Sequence, residues 1–480
     1  MDEIMHAGPW IDGRERKGGG RTTREVTSPY DDRVVGRVDY ATPDDLDAAI
    51  AAAERAFREK MRKMPAYRRA AILRKAADLL EERAELFART ITAEAGKPIR
   101  DARAEVGRAI QIFRFASDEA KTLTGATVPM DAAIGGENRI GIVRRVPIGV
   151  VAAITPFNFP LNLVLHKLAP AYAAGNTVVL KPADKTPLSS ALLAKLLADA
   201  GLPDGALNIV YGRGSEIGKP LCTDPRVAKV TFTGSVPIGL KIKEWTGLKK
   251  VTLELGSNSP NIVFEDCDLE AAVAALVKGA FVFAGQACIS VQRIYVQSSI
   301  CGEFLDRFVA EARKLVLGDP ALETTDIGPM ISEAEAIRAE NWIREAAEQG
   351  ARVLTGGKRH GAFVEPTVLT GVRPDMKVVC QEVFAPIVSV IPFGTEEEAV
   401  AMANDSDFGL QAGVFTNDLN RAVRVAEALE TGGVWINEVS TYRQDNHPYG
   451  GVKLSGIGKE GVKYAIEDMT DIRFLGIRLR

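Results

Sequence analysis

The sequence predicts an α/β protein: a parallel-sheet unit built from βαβ repeats of strand and helix, followed by a second α/β block. Two observations carry this. From Val146 onward short β-rich runs alternate with helical stretches, the pattern of βαβ units in a parallel sheet. In addition, 480 residues exceed one ordinary domain, so two or three core-forming units are expected.

The elements follow in chain order. Thr42-Pro43-Asp44-Asp45 is a helix start, with a capping hydroxyl, proline in the first turn and acids at the positive dipole end. Between Tyr67 and Glu94 the residues Ile72, Leu73, Ala76, Leu79, Leu80, Leu86, Phe87 and Ile91 recur at helical spacing. Gly96 and Pro98 end that pattern. Strands are predicted at Gly149–Ile154, Thr177–Leu180, Asn208–Tyr211, Ala228–Phe232, Val251–Leu255 and Asn261–Phe264. A second block has helix Glu270–Phe283, strand Arg293–Val296, helix Glu303–Val316, and strands near Ile387–Pro392, Gly413–Phe415 and Val434–Asn437. Thr122–Asn138 and Thr470–Arg480 fit least well into a compact unit, and pattern alone reads them equally as pairing segments or as surface hairpin and tail.

Composition narrows the function. Hydrophobic residues make up 46% and charged residues 26%, enough for a core on a water-compatible surface. A net charge of -3 gives no reason to expect nucleic acid or an anionic membrane. Asp2 and Glu3 near the N-terminus argue against a secretory leader. The most apolar stretch, Val150–Leu165, is too short and too interrupted to span a bilayer. Five scattered cysteines (Cys222, Cys267, Cys288, Cys301, Cys380) form no CxxC pair, which fits a reducing, cytoplasmic compartment. The four histidines show no ligand spacing, so no metal site is expected.

Several residues could carry chemistry. Cys288, in Gly285-Gln286-Ala287-Cys288, lies on a connection and could hold an acyl group as a thioester. Alone, it reads more readily as a small buried hydrophobe than as a nucleophile. Glu254 sits inside an apolar β run, where a carboxylate is costly unless paired or functional; the alternative is a strand-end charge in solvent. Asn158, between Pro156 and Pro160, could donate to an oxyanion from a stiff turn, or simply cap a helix. Gly234-Ser235 sits between a strand and a helix start, where backbone amides suit a pyrophosphate. Lys181 and Asp184 end another strand, placed to hold ribose hydroxyls. Glu382 is a loop acid beside Phe384. Gly212-Arg213-Gly214-Ser215-Glu216-Ile217-Gly218 has the wrong spacing for a dinucleotide fingerprint and is discounted.

Taken in order, these segments resemble the aldehyde dehydrogenase superfamily, from Trp10-Ile11-Asp12-Gly13 to Pro448-Tyr449-Gly450-Gly451-Val452-Lys453-Leu454-Ser455-Gly456. The resemblance implies oxidation of an aldehyde to a carboxylic acid through a thiohemiacetal and a thioester. Cys288 would be the nucleophile and Glu254 the base. Asn158 and the Cys288 backbone N–H would form the oxyanion hole, with Glu460 a supporting proton relay. Thr155, Phe157, Lys181, Asp184, Gly234, Ser235, Leu255, Glu382 and Phe384 would hold the cofactor. NAD is favoured because the Asp184 carboxylate would repel a 2′-phosphate, although its shortness leaves NADP open.

The implied fold is a Rossmann-like cofactor domain over 1–121 and 145–255, an α/β catalytic domain over 256–463, and a bridging oligomerisation arm over 122–144 and 464–480, in a homodimer or homotetramer. Departures from the usual pattern are Ser257 after Leu255-Gly256, Ala385 between Phe384 and Pro386, and Phe157 for tryptophan. They suggest the lactaldehyde, phosphonoacetaldehyde and non-phosphorylating glyceraldehyde-phosphate dehydrogenase branch. Asn162 and His166, one turn apart, with Arg443 in the late loop, point to a short, polar or anionic aldehyde; a packed histidine and a surface arginine are the plainer alternatives. A CoA-acylating relative would usually lack the base, so Glu254 points to water as acceptor. A structural role for the fold would predict loss of the nucleophile or the base.

Overall fold

The computed structural model describes residues 4–480, so Asp2 and Glu3 lie outside the described residues. Its largest sheet has eight strands in the order Gly456–Ile457, Lys250–Glu254, Val227–Thr233, Val150–Ile154, Thr177–Lys181, Leu207–Ile209, Trp10–Ile11, Arg14–Glu15. The inner strands from Lys250–Glu254 to Leu207–Ile209 are all parallel. Their residues are buried almost throughout, as a sheet covered on both faces requires. From the central strand Val150–Ile154 the chain builds outward through Thr177–Lys181, then returns to add Val227–Thr233 on the other side. That reversal is a topological switch point, and ligands of such sheets bind beyond the carboxyl ends of the strands there.

A second sheet of seven strands holds Pro260–Val263, Arg293–Gln297, Ile387–Phe393 and Gln411–Phe415 in parallel register. The chain crosses between the sheets through 255–259. The carboxyl end of Lys250–Glu254 therefore leads into the amino end of Pro260–Val263. The third sheet pairs Arg139–Pro147 with Thr470–Arg478 over nine residues, with Ala126–Val128 alongside. It uses both segments that the sequence left least settled. The strand Arg139–Pro147 runs three residues past the boundary read at 144, and Gly456–Ile457 pairs with the first sheet although it falls in the range assigned to the second unit.

Two local expectations change. The helical pattern over Tyr67–Glu94 is two helices, Ala66–Glu82 and Ala84–Ala95, broken at Arg83 (φ -104°, ψ 15°). Leu73, Ala76 and Leu80 in the first and Phe87, Ala88 and Ile91 in the second bury one continuous face. The apolar phase thus survives the break, and periodicity cannot reveal it. The helix expected to reach Phe283 ends at Phe281, and the chain then enters a left-handed turn. Thr42 caps its helix as read, in a reciprocal pair with Asp45. Among the described residues no helix is long and apolar enough to cross a membrane, and no cluster of three or more His, Cys, Asp or Glu could hold a metal.

Candidate active site

Helix Leu269–Phe281 delivers the chain to the thiol. After it Phe283 (φ 48°), Ala284 (φ 54°) and Gly285 (φ 68°) are consecutive left-handed residues, a conformation that costs free energy for the first two. A Cβ on Gly285 would lie 2.2 Å from the Ala385 carbonyl oxygen, so this turn needs glycine. The Gln286 side chain then pins the loop, accepting from Ile331 N–H at 2.8 Å and donating to the Phe283 carbonyl at 3.2 Å. Cys288 follows, partly buried, its Sγ 3.2 Å from the Tyr449 hydroxyl. Burial pushes this thiol up to about 12; the Tyr449 hydrogen bond and Arg443 oppose the shift, while Glu382 and Glu254 add to it. The resting group is a thiol.

Asn158 comes from the other sheet, on the turn after Val150–Ile154. It does not cap the following helix; that role falls to Glu105, whose Oε1 accepts from the backbone N–H of Leu161 (3.0 Å) and Asn162 (3.1 Å). The Asn158 amide donates to the Gln286 carbonyl at 2.9 Å, two residues before the thiol. Its second N–H is left for another acceptor. Lys97 ties the same two loops together. Its ammonium, fully buried, is 2.5 Å from the second Glu105 oxygen, 3.7 Å from the Phe159 ring centre and 4.6 Å from that of Phe283.

Glu254 ends strand Lys250–Glu254, and at 2% exposure it is no solvated strand-end charge. Neither carboxyl oxygen has a hydrogen-bond partner. Burial, followed by the charge of Glu460, holds its pKa well above the usual carboxylate range. Glu460 is the reverse case. Burial would raise it, but Lys167 at 2.9 Å and Arg443 at 3.0 Å hold it down at about 2. A carboxylate so paired stays ionised and acts on Glu254 through its field.

The cofactor candidates gather at the carboxyl ends of the parallel strands. Thr155 and Phe157 follow one strand, Lys181 and Asp184 the next, Gly234 and Ser235 a third, and Leu255 the fourth. The Thr155 hydroxyl is buried without a partner. Helix Val236–Thr246 begins at Ser235 with no side-chain cap, leaving its first amides for an anion. Gly239, not singled out from the sequence, lets that helix close on the sheet: a Cβ there would sit 2.5 Å from Leu255. Across the seam Glu382 lies against the Gly256 backbone and accepts from Ser257 N–H at 3.2 Å. Burial pushes its pKa up to about 7. The Ser257 hydroxyl turns away to Ser259, at 3.1 Å, which accommodates the departure from glycine. Phe384 meets Phe157 edge to face with centroids 5.9 Å apart. Asp184 is not free: Lys181 binds it at 2.8 Å, which weakens the repulsion expected of a bare carboxylate. These residues fit a dinucleotide, whose phosphates suit the helix start and whose ribose hydroxyls suit the flanking acids.

Asn162, His166 and Arg443 are all buried, and Arg443 is no surface charge. His166 Nε2 lies 2.9 Å from Asp445 Oδ1, and Arg108 holds the same carboxylate at 2.6 Å. Burial and Arg443 lower the His166 pKa, so the ring is neutral with its proton directed at Asp445. His166 Nδ1, both Asn162 side-chain polar atoms and Arg443 Nε have no partner. The Arg443 guanidinium stacks 3.6 Å from the centre of the Tyr449 ring, whose hydroxyl meets Cys288. Sequence reasoning missed Tyr449, Lys97, Glu105, Lys167 and Asp445 as participants. Tyr449 stood within a quoted motif; for the others only burial shows that the charge is paired.

The aldehyde dehydrogenase family profile matches residues 16–475. Over 455 residues the chain is 49% identical to 3-sulfolactaldehyde dehydrogenase of Priestia aryabhattai, covering 95% of each chain. Among solved structures, aldehyde dehydrogenase 21 from Physcomitrella patens, in complex with its reaction product succinate, matches with TM-score 0.97 and 42% identity over 99% of both chains. Glyceraldehyde-3-phosphate dehydrogenase GapN from Methanocaldococcus jannaschii, complexed with NADP, matches with TM-score 0.92 and 41% identity, covering 96% of this chain and 100% of that one.

Proposed function

The chain belongs to the aldehyde dehydrogenase family and is an NAD(P)-dependent oxidoreductase acting on aldehydes; from that premise we propose that its substrate is a short hydroxyaldehyde carrying an anionic group, and that Cys288, Asn158 and Glu254 perform the chemistry. The observation that carries the substrate reading is the set of unpartnered buried polar atoms on Asn162, His166 and Arg443. Such atoms are costly unless a ligand satisfies them. Neutral His166 offers an acceptor for a substrate hydroxyl, Asn162 a donor and an acceptor, and Arg443 a cation one ring away from the thiol. A sulfonate-bearing aldehyde such as 3-sulfolactaldehyde meets all three.

The reaction begins when the Cys288 thiol gives its proton to solvent water and the thiolate adds to the aldehyde carbon. The new alkoxide accepts from the second Asn158 N–H and the Cys288 backbone N–H. A nicotinamide held at the strand ends would supply the hydride acceptor for oxidation of this adduct to the thioester. Glu254, once deprotonated, takes a proton from water as that water attacks the thioester, releasing the acid and restoring the thiol. Glu460 remains ionised between Lys167 and Arg443 and acts by raising the basicity of Glu254; it carries no proton itself. Glu382 and Lys181 would orient the two ribose rings, with Thr155, Phe157, Asp184, Gly234, Ser235, Leu255 and Phe384 completing the cofactor cleft.

We assign 4–121 and 148–255, with the strand Gly456–Ile457, to the cofactor unit, the rest of 256–463 to the catalytic unit, and 122–147 with 464–480 to the arm. The arm exposes Ile472 and Phe474 on one face of its strand and Leu475 and Ile477 on the other, apolar surface that supports self-association as a homodimer or homotetramer. No membrane or nucleic-acid partner is proposed, and a cytoplasmic location suits the unpaired cysteines. The test is kcat/KM for 3-sulfolactaldehyde, lactaldehyde and propionaldehyde with each cofactor. The sulfonate should lead. Asn162→Leu should lower kcat/KM for the two hydroxyaldehydes by about 5- to 150-fold, the worth of a buried polar partner, and leave propionaldehyde little changed. Equal use of propionaldehyde by the unaltered enzyme would overturn the proposal.

A further inference from the structure

A charged cavity lies at the amino ends of the central strands of the large sheet, at the root of the arm. It encloses about 730 Å³, within the range of small-ligand sites, and is walled by Arg62, Arg69, Arg144, Arg145 and Arg473. Pro147, Ile148 and Ala174 form part of its floor, just before the amino ends of strands Val150–Ile154 and Thr177–Lys181. The length of those strands therefore separates it from the thiol.

Its charges are unbalanced. Arg69 is held only by the backbone carbonyls of Ala173 (2.9 Å) and Met64 (2.5 Å). Among the described residues Arg62, Arg69, Arg144 and Arg473 meet no carboxylate, and Arg145 reaches Glu467 only at 3.7 Å. The one acid in the wall, Asp471, is taken by Lys250 at 2.8 Å. Arg144 and Arg473 are also directly opposite partners in the antiparallel pair of Arg139–Pro147 with Thr470–Arg478. Like charges at that position destabilise a sheet. Neither the register nor the surrounding side chains relieve the repulsion, whereas a multiply charged anion between them would.

We propose that this cavity binds a small phosphate-bearing polyanion, with Arg144 and Arg473 as its paired anchors and Arg62 and Arg69 at its rim and floor. Phe57 and Met64 add an apolar wall, which suits an organic body attached to the phosphates. The alternative occupant, an acidic surface of a second copy of the chain, is an outcome of the test.

The experiment titrates the full-length enzyme, in its native assembly and with NAD saturating the cofactor cleft, with inorganic tripolyphosphate, by calorimetry and by thermal shift. Binding should occur at one site per chain, weaken with added salt, and raise the melting temperature. Arg144→Gln/Arg473→Gln should lose about tenfold or more in affinity, as expected for removal of charge-assisted contacts. It should also melt at or above the unliganded wild-type temperature, because the repulsion is gone. Arg62→Gln, exposed and without structural contacts, should weaken binding while leaving size and melting temperature unchanged, which keeps the test valid if the double variant misassembles. No binding to the wild type, or equal binding to the variants, overturns the proposal. Dissociation of the assembly by these substitutions, without tripolyphosphate binding to the wild type, overturns it in favour of a contact between copies.

Discussion

Replacing Lys97 by methionine is expected to damage catalysis without touching a reacting group. Lys97 and Glu105 are a fully buried pair at 2.5 Å, and the ammonium also faces the rings of Phe159 and Phe283. Phe159 is one residue from Asn158; Phe283 opens the left-handed turn that leads to Cys288. The pair thus fastens Asn158, the proposed oxyanion donor from the first sheet, to the loop of Cys288, the proposed nucleophile from the second. Leaving Glu105 without its cation should cost about 3–5 kcal/mol of stability. Its two remaining hydrogen bonds, from Leu161 and Asn162 N–H, should keep the helix start formed. If Asn158 then drifts from the alkoxide position, kcat should fall by about 10²–10³, the worth of one oxyanion donor, with KM little altered. The assay is single-turnover NAD(P)H formation well below the melting temperature of the variant, beside thermal unfolding. A variant that loses stability yet forms NAD(P)H within about a factor of two of wild type would refute the reasoning, because a structural pair alone predicts that split.

Four further outcomes follow from the site. Cys288→Ala should abolish turnover while leaving thermal unfolding nearly unchanged. In the unliganded enzyme, alkylation of Cys288 by iodoacetamide should be slow at neutrality and rise about tenfold per pH step up to alkaline pH, since the thiol sits near 12; a fast, pH-independent reaction would contradict the buried thiol. Glu254→Gln should retain a burst of NAD(P)H and then turn over slowly; for the native enzyme deacylation should rise with pH through the raised Glu254 pKa, as a base must lose its proton first. Asp445 is held below the usual carboxylate range: burial opposes this, but the hydrogen bond from His166 and the charge of Arg108 prevail. It contributes stability that is complete above its unfolded value of about 4 and is lost progressively as the pH falls from there through its lower folded value. The contribution should be absent in Asp445→Asn, a difference visible in acid unfolding curves.

Much of the layout was legible in the sequence because the signals were local. Strand-helix alternation needs only hydrophobic period and turn residues, so the inner strands were read to within one or two residues. The carboxyl-end positions of Thr155, Lys181, Ser235 and Leu255 followed directly, since each stands where a β run stops. What stayed hidden depended on contacts between distant segments. Lys97 and Glu105 look like two ordinary charges, one before a helix and one in its second turn, until the fold buries both. The same holds for Lys167, which reads as a polar break in an apolar helix but reaches Glu460, 293 positions away. Gly285 and Gly239 were equally silent, because what each excludes is an atom from another part of the chain.

The two buried glutamates show how one site can use the same side chain in opposite protonation states. Glu254 and Glu460 are almost equally inaccessible, at 2% exposure each, so desolvation alone would raise both. Their neighbours separate them. Glu460 receives Lys167 and Arg443 at hydrogen-bonding distance, while Glu254 has no direct partner and feels the Glu460 charge. Ionisation of one therefore holds the proton on the other, and the proton available to shuttle belongs to Glu254. Arg443 is common to both effects: it pairs with Glu460, stacks on the ring that touches the Cys288 thiol, and keeps one N–H unused. An anionic substrate that engaged Arg443 would draw its charge away from Glu254 and Cys288 alike, raising both pKa values. Neutral and anionic aldehydes should then give deacylation profiles displaced along the pH axis, the anionic one to higher pH. Superimposable profiles would separate Arg443 from substrate charge and leave it a purely structural partner of Glu460.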